Sequence, residues 1–249
     1  MSVVLVTGAS AGFGKAICQK LIADGFSVIG TARRLDKLQE LQKELGDKFL
    51  PLQLDVTDLT AIEALPGKIP PSFQPIDILI NNAGLALGLE PANEVPFQYW
   101  DTMVHTNILG LIKLTHTLLP EMVKRNHGYI INLGSIAGTY PYKGGNVYGA
   151  TKAFVRQFSL NLRTDLLGKK IRVTNIEPGL CGGTEFSNVR FGDDKKAAEV
   201  YTGVDFVTAG DIANTISWLI SMPEHFNVNS IEIMPTAQAP AGMSVAKNM

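Results

Sequence analysis

Cysteine is scarce in this chain: Cys18 and Cys181 are the only two in 249 residues. That count excludes a disulfide framework and offers no zinc-ligand pattern, which fits a reducing compartment. Charge of one sign is also missing. The net charge is −1, so nothing suggests a general nucleic-acid or anionic-membrane surface. No apolar run approaches the ~18 residues of a membrane span, and no basic stretch with a cleavage site opens the sequence. A cytoplasmic protein is expected. The four histidines, His105, His116, His127 and His225, form no recognisable catalytic arrangement. Internal repeats, low-complexity linkers and breaks in composition are absent as well, so residues 1–249 are expected to form one domain.

What is present is a series of short runs rich in Val, Ile and Leu, at 3–7, 26–32, 49–56, 76–82, 128–135, 171–178 and 230–234. They are continuous rather than alternating, as in parallel strands covered on both faces. Helical patterns fall between them, at about 13–24, 36–45, 58–65, 98–124, 146–167 and 210–221. Asp36 and Asp211 suit first turns, and Gly25, Gly46 and Gly168 suit helix ends. The order predicts a Rossmann-type α/β fold, a doubly wound parallel sheet of about seven strands with helices on both faces. The least regular stretch, about 180–209, is expected to be a loop with short helical pieces; loops that long inside a compact domain are often functional.

"TGASAGFG" (7–14) joins the first strand to the first helix. Gly8 permits a tight turn, Gly12 lets backbone approach a pyrophosphate, and Gly14 lets helix and sheet pack closely. The helix N-terminus adds unpaired N–H groups. Ser10 and Phe13 belong to the same turn. An NAD site typically carries an acidic residue at the end of the second strand. Here that strand ends "TARR". Arginine favours a 2′-phosphate that a carboxylate would repel. NADP is therefore the expected cofactor, with Arg33 the primary contact and Arg34 secondary. "YGATK" (148–152) sets Tyr148 and Lys152 one helical turn apart on a shared face.

These pieces, with "LDV" (54–56), "NNAG" (81–84), Asn107, "GS" (134–135) and "PG" (178–179), resemble the short-chain dehydrogenase/reductase family in order and spacing over almost the whole chain. "GGNVYGATKAFVRQFSLNLRTDL" (144–166) and "EPGLCGGTEFSNVRF" (177–191) resemble its NADP-dependent 3-hydroxy acid dehydrogenases, which also act on serine and L-allo-threonine. The resemblance implies a tetrad. Tyr148 is the general base in oxidation and the acid in reduction. Lys152 lowers the tyrosine pKa and binds the nicotinamide ribose. Ser135 polarises the reacting oxygen, and Asn107 holds a water that links Lys152 to solvent. Asp55 and Val56 are implied at the adenine edge. Asn82, Ala83 and Gly84 are implied beneath the cofactor, while Asn81 either joins them or stabilises the central strand. Beyond Pro178 and Gly179, Thr184 arrives slightly late for the family pattern. Whether it or the backbone near Leu180 meets the carboxamide stays open.

A hydroxy-acid substrate needs its carboxylate held. Arg190 is the candidate, with Lys143 behind it, and Glu185 could complement a substrate ammonium. The alternatives are a carbonyl reductase of another substrate class, a non-enzymatic NADP-sensing protein of the same fold, and a serine hydrolase built on Ser135, although "GSIAG" is not G-x-S-x-G. Apolar residues outside one face of the 98–124 and 146–167 helices (Ile108, Leu111, Ile112, Phe154, Phe158) are those that the resemblance implies pair subunits into a homotetramer. The C-terminal "TAQAPAGMSVAKNM" is expected to dock on a neighbour.

Overall fold

The structure is a computed structural model that describes residues 2–240. Seven parallel strands form one sheet in the order β3-β2-β1-β4-β5-β6-β7. They are β1 (Val3–Thr7), β2 (Ser27–Ala32), β3 (Phe49–Gln53), β4 (Ile76–Asn81), β5 (Gly128–Leu133), β6 (Ile171–Pro178) and β7 (Ser230–Ile233). All seven runs expected from the sequence are strands. The five from β1 to β6 that exclude β3 are almost wholly buried. β3 and β7 lie at the edges, and Ser230 and Glu232 of β7 alternate outward to solvent. An edge strand has one neighbour, so continuous apolar character is not demanded of it.

Helices α1 (Gly12–Ala23), α2 (Leu35–Leu45), α3 (Leu59–Lys68), α4 (Phe97–Val104), α5 (Leu111–Arg125), α6 (Asn146–Asp165), α7 (Phe186–Phe191), α8 (Asp194–Glu199) and α9 (Ala209–Ser221) complete the layers. One face of the sheet packs Val4, Val6 and Ile131 against Ile17 and Leu21 of α1 and Ile212 and Ile216 of α9. The other packs Leu5, Leu79 and Ile130 against Ile62 of α3, Leu114 and Leu118 of α5 and Leu162 of α6. Each such aliphatic side chain contributes about 1.5–3 kcal/mol by leaving water.

Two departures from the sequence reading place the site. Strands β3, β4 and β5 end one to three residues early, because the trailing residues (Asp55 and Val56, Asn82, Gly134 and Ser135) leave the ladder to line a cleft. The helix expected over 98–124 is also not uniform. A π turn, His105–Gly110, joins α4 to α5. Such turns insert an extra residue into the helical ladder and are frequent at functional sites. Leu111, one of the apolar positions expected on the outer face, is instead buried in its own chain. The last residues of the tail, 241–249, lie outside the described residues. Gln238 turns back onto its own chain, where its Oε1 accepts from the Leu180 amide at 2.7 Å.

Candidate active site

The cleft opens where the sheet order reverses, between the carboxyl ends of β1 and β4. Thr7 Oγ1 ties those ends together by accepting from the Asn82 and Ala83 amides at 3.0 and 2.9 Å. The Asn82 side chain donates to the Thr7 carbonyl at 2.7 Å and so braces the glycine turn from below. Gly8 and Gly12 adopt positive φ of 69° and 52°, which only glycine does at little cost. A Cβ at Gly14 would stand 2.2 Å from the Gly8 carbonyl oxygen. The turn is therefore built for close backbone approach.

A cleft of about 650 Å³ runs from Arg33 and Arg34, past Gly8, Ser10, Gly12, Phe13, Asp55, Val56, Ala83 and Gly84, to Ser135, Tyr148 and Lys152. Pro178, Gly179, Leu180, Thr184, Glu185 and Arg190 line its far wall. The Arg33 guanidinium has no hydrogen bond or ion pair among the described residues, whereas Arg34 reaches Ser10 Oγ from Nη2 at 3.1 Å and Glu185 at 2.8 Å. Asp55 turns inward to its own loop and accepts from the Thr57 amide and hydroxyl at 2.9 and 2.8 Å. Asn81 is structural: its amide donates to Asn132 at 2.8 Å and Thr115 at 3.1 Å.

At the catalytic end, Tyr148, Thr151, Lys152 and Val155 share the buried face of α6. Ser135 neighbours Tyr148, and its hydroxyl donates to the Pro178 carbonyl at 3.4 Å. Ser135 follows β5, and its hydroxyl accepts from the Ala137 amide at 3.1 Å, which fixes its orientation. Lys152 donates to the Leu133 carbonyl at 2.7 Å and lies 5.8 Å from the centre of the Tyr148 ring. Burial lowers its pKa to about 8. Burial dominates at Tyr148 too and raises its pKa, against the Ser135 hydroxyl and the Arg190 charge, which lower it. Two cations therefore face the Tyr148 ring at similar distances, Lys152 at 5.8 Å and Arg190 at 5.6 Å, and Lys152 also gives its ammonium to the Leu133 carbonyl. Asn107 is locked by its side chain. It accepts from the Leu85 amide at 2.9 Å and donates to the Leu85 carbonyl at 2.8 Å and to Thr151 at 3.0 Å. A Cβ at Gly84 would lie 3.3 Å from Asn107 Oδ1 and 3.4 Å from Lys152 Nζ, so Gly84 gives this cluster its room.

The two expected substrate residues separate. Arg190 sits over Tyr148, 5.6 Å from the ring centre. Glu185 does not join it; its carboxylate goes to Arg34 on the glycine-turn side. Lys143 is exposed and does not line the cleft. Two residues escaped the sequence reading. Tyr142 accepts from Arg190 Nη2 at 2.7 Å. Gly88 donates its amide to the Arg190 carbonyl at 3.0 Å and accepts from Arg190 Nε at 3.2 Å. Both lie far from Arg190 in sequence, where no local pattern marks them. Leu180, one of the open alternatives for the carboxamide, already gives its amide to Gln238. No histidine among the described residues lines the cleft, so Ser135 lacks the base a hydrolase needs.

The family model described as short chain dehydrogenase matches residues 2–194. This chain belongs to the short chain dehydrogenase family. The dehydrogenase is 62% identical over 244 residues to a "Probable NADP-dependent dehydrogenase" of Haemophilus influenzae, covering 98% of this chain and 97% of that one. It is 56% identical over 244 residues to an "NADP-dependent 3-hydroxy acid dehydrogenase" of Escherichia coli, covering 98% of both. It also superposes on the closed form of a serine dehydrogenase complexed with NADP+, with a TM-score of 0.95 and 55% identity over 98% of this chain and 99% of that one.

The residues present fit a phosphorylated dinucleotide. Positive-φ glycines clear a path for the pyrophosphate. The second strand carries no carboxylate at its end, and Arg33 keeps its donors free among the described residues. NADP is the cofactor of this dehydrogenase by the same measure as its named relatives. No helix among the described residues is long and apolar enough to cross a membrane.

Proposed function

We propose that this dehydrogenase oxidises the 3-hydroxyl of small 3-hydroxy acids of the serine, L-allo-threonine and 3-hydroxypropanoate type, reversibly toward 3-oxo acids or aldehydes. The observation that carries the reading is the placement of Arg190 over Tyr148, both lining the same cleft. A base and a carboxylate-binding fork are then one small molecule apart. The names of the related dehydrogenases point the same way.

The roles follow from the groups. NADP+, when bound, accepts the hydride. Ser135 holds the substrate hydroxyl against Tyr148, whose phenolic oxygen takes the proton in oxidation and returns it in reduction. Lys152 is the buried ammonium beside the ring and would hold the nicotinamide ribose; Asn107 fixes Leu85 and Thr151 around it. Arg190, held by Tyr142 and Gly88, receives the carboxylate. Residues 1–249 act as one domain in the cytoplasm. The assembly is a homotetramer paired through α4, α5 and α6.

The test is a coupled assay of 3-hydroxy acids and amino acids with NADP+ and NAD+, run on wild type and Arg190→Met. The variant is expected to lose far more kcat/KM on 3-hydroxypropanoate or serine than on an uncharged alcohol of similar size. Equal losses on both would remove Arg190 from the carboxylate.

A further inference from the structure

The segment after β6 makes two contacts that the chemistry of Tyr148 does not use, one to Gly12 of the glycine turn and one to Arg34 beyond β2, which itself bonds Ser10 of that turn. Glu185 meets the Arg34 guanidinium with two bonds, Nη2–Oε2 at 2.8 Å and Nη1–Oε1 at 3.3 Å. Arg34 also gives Nε at 3.3 Å and Nη2 at 3.1 Å to Ser10 Oγ. One residue earlier, Thr184 lies on Gly12: a Cβ built there would meet Thr184 Cβ at 3.2 Å and Cγ2 at 3.3 Å. Residues 184 and 185 therefore form a strap fastened to the very turn that offers backbone to a pyrophosphate. The strap does not fill the cleft. Arg33, Gly12, Thr184 and Tyr148 line one continuous volume of about 650 Å³ with the strap in place.

Donor arithmetic separates the adjacent arginines. A guanidinium has five N–H groups, and at Arg34 Nε, both of Nη2 and one of Nη1 are engaged with Ser10 and Glu185. Arg33 has no such engagement among the described residues. The Arg34–Glu185 pair is also about half exposed, at 45% and 56% of each side chain. A pair that wet is weak and screened by salt, which suits a fastening that opens with each exchange of cofactor.

We propose that Glu185 and Arg34 are a latch that holds the 184–191 segment across the bound dinucleotide, and that selection of the 2′-phosphate falls to Arg33. The latch then sets how long either form of the cofactor stays, whether or not it carries the phosphate. The inference rests on reading the cleft as the NADP site and is independent of which hydroxy acid is oxidised.

Wild-type binding of NADPH, measured first by fluorescence titration, tests the reading of the cleft by itself. The latch is tested by stopped-flow release of NADPH and NADH from wild type, Glu185→Gln, Arg34→Gln, the double variant and Arg33→Ala. Glu185→Gln is expected to release both cofactors about two- to fivefold faster, the worth of an exposed ion pair, with the difference vanishing near 1 M salt. Arg34→Gln should add little in the Glu185→Gln background. Arg33→Ala should weaken NADPH selectively. Tighter NADPH binding by Glu185→Gln with NADH unchanged would show the carboxylate competing with the phosphate for Arg34, and would overturn the proposal. So would unchanged release of both cofactors, or an Arg34→Gln loss confined to NADPH.

Discussion

Tyr148 and Lys152 are both buried, and burial moves their protons in opposite directions. It disfavours phenolate at Tyr148 and ammonium at Lys152. Tyr148→Phe removes only the titrating hydroxyl. Its kcat is expected to fall at least ~10²-fold, with NADPH affinity retained by titration. Lys152 gives a stability signature. Its folded pKa of about 8 lies below the unconstrained 10.5. Between those values the unfolded chain binds the extra proton, so this lysine's contribution to stability grows as pH rises from 8 toward 10.5 and is lost as pH falls through 8. Denaturant unfolding of wild type and Lys152→Met at several pH values checks this. The difference should shift in favour of wild type with rising pH, and a flat difference would refute the assignment. That these two residues share a buried helical face was legible in "YGATK" from the i, i+4 spacing, but their role was readable only from the resemblance carried by the other motifs. The direction of the Lys152 ammonium was not, because the Leu133 carbonyl it meets is brought near only by the sheet.

At the scale of elements, the strands were legible because burial on both faces leaves an unbroken apolar run. The π turn was not. It changes hydrogen-bond register while preserving the composition of a helix, so His105–Gly110 reads like its flanks. Its close partner is Val56, whose carbonyl oxygen would stand 2.5 Å from a Cβ at Gly110. Gly110→Ala must drive the π turn off the loop after β3. A cost of about 1–3 kcal/mol is expected from overpacking, read as a lower denaturant midpoint, together with weaker cofactor binding at the adenine edge. If Gly110→Ala keeps both, the turn is more pliant than its packing implies. The contacts of α7 were equally illegible. Arg190 meets Gly88 across 102 residues and Arg34 meets Glu185 across 151, distances over which neither periodicity nor spacing carries information.

At the scale of the molecule, α6 bears two stacked rings on its outer side. Phe154 and Phe158 have centres 5.9 Å apart and planes within 9° of parallel. Phe158 leans on the core, while Phe154 keeps 37% of its surface exposed. An exposed aromatic beside a long helix face suits burial by a second copy of the chain. Phe154→Glu places a charge there and is expected to convert the proposed tetramer into smaller species in sedimentation velocity, with the fold intact by circular dichroism. An unchanged sedimentation profile would move the interface elsewhere.

The bond between Gln238 and the Leu180 amide has a consequence for how the protein is made. It joins positions 58 residues apart. A domain folds as a unit once its parts are present, and this bond ties the root of the segment that carries Arg190 to one of the last described residues. That segment therefore gains its prop only after Gln238 has been added.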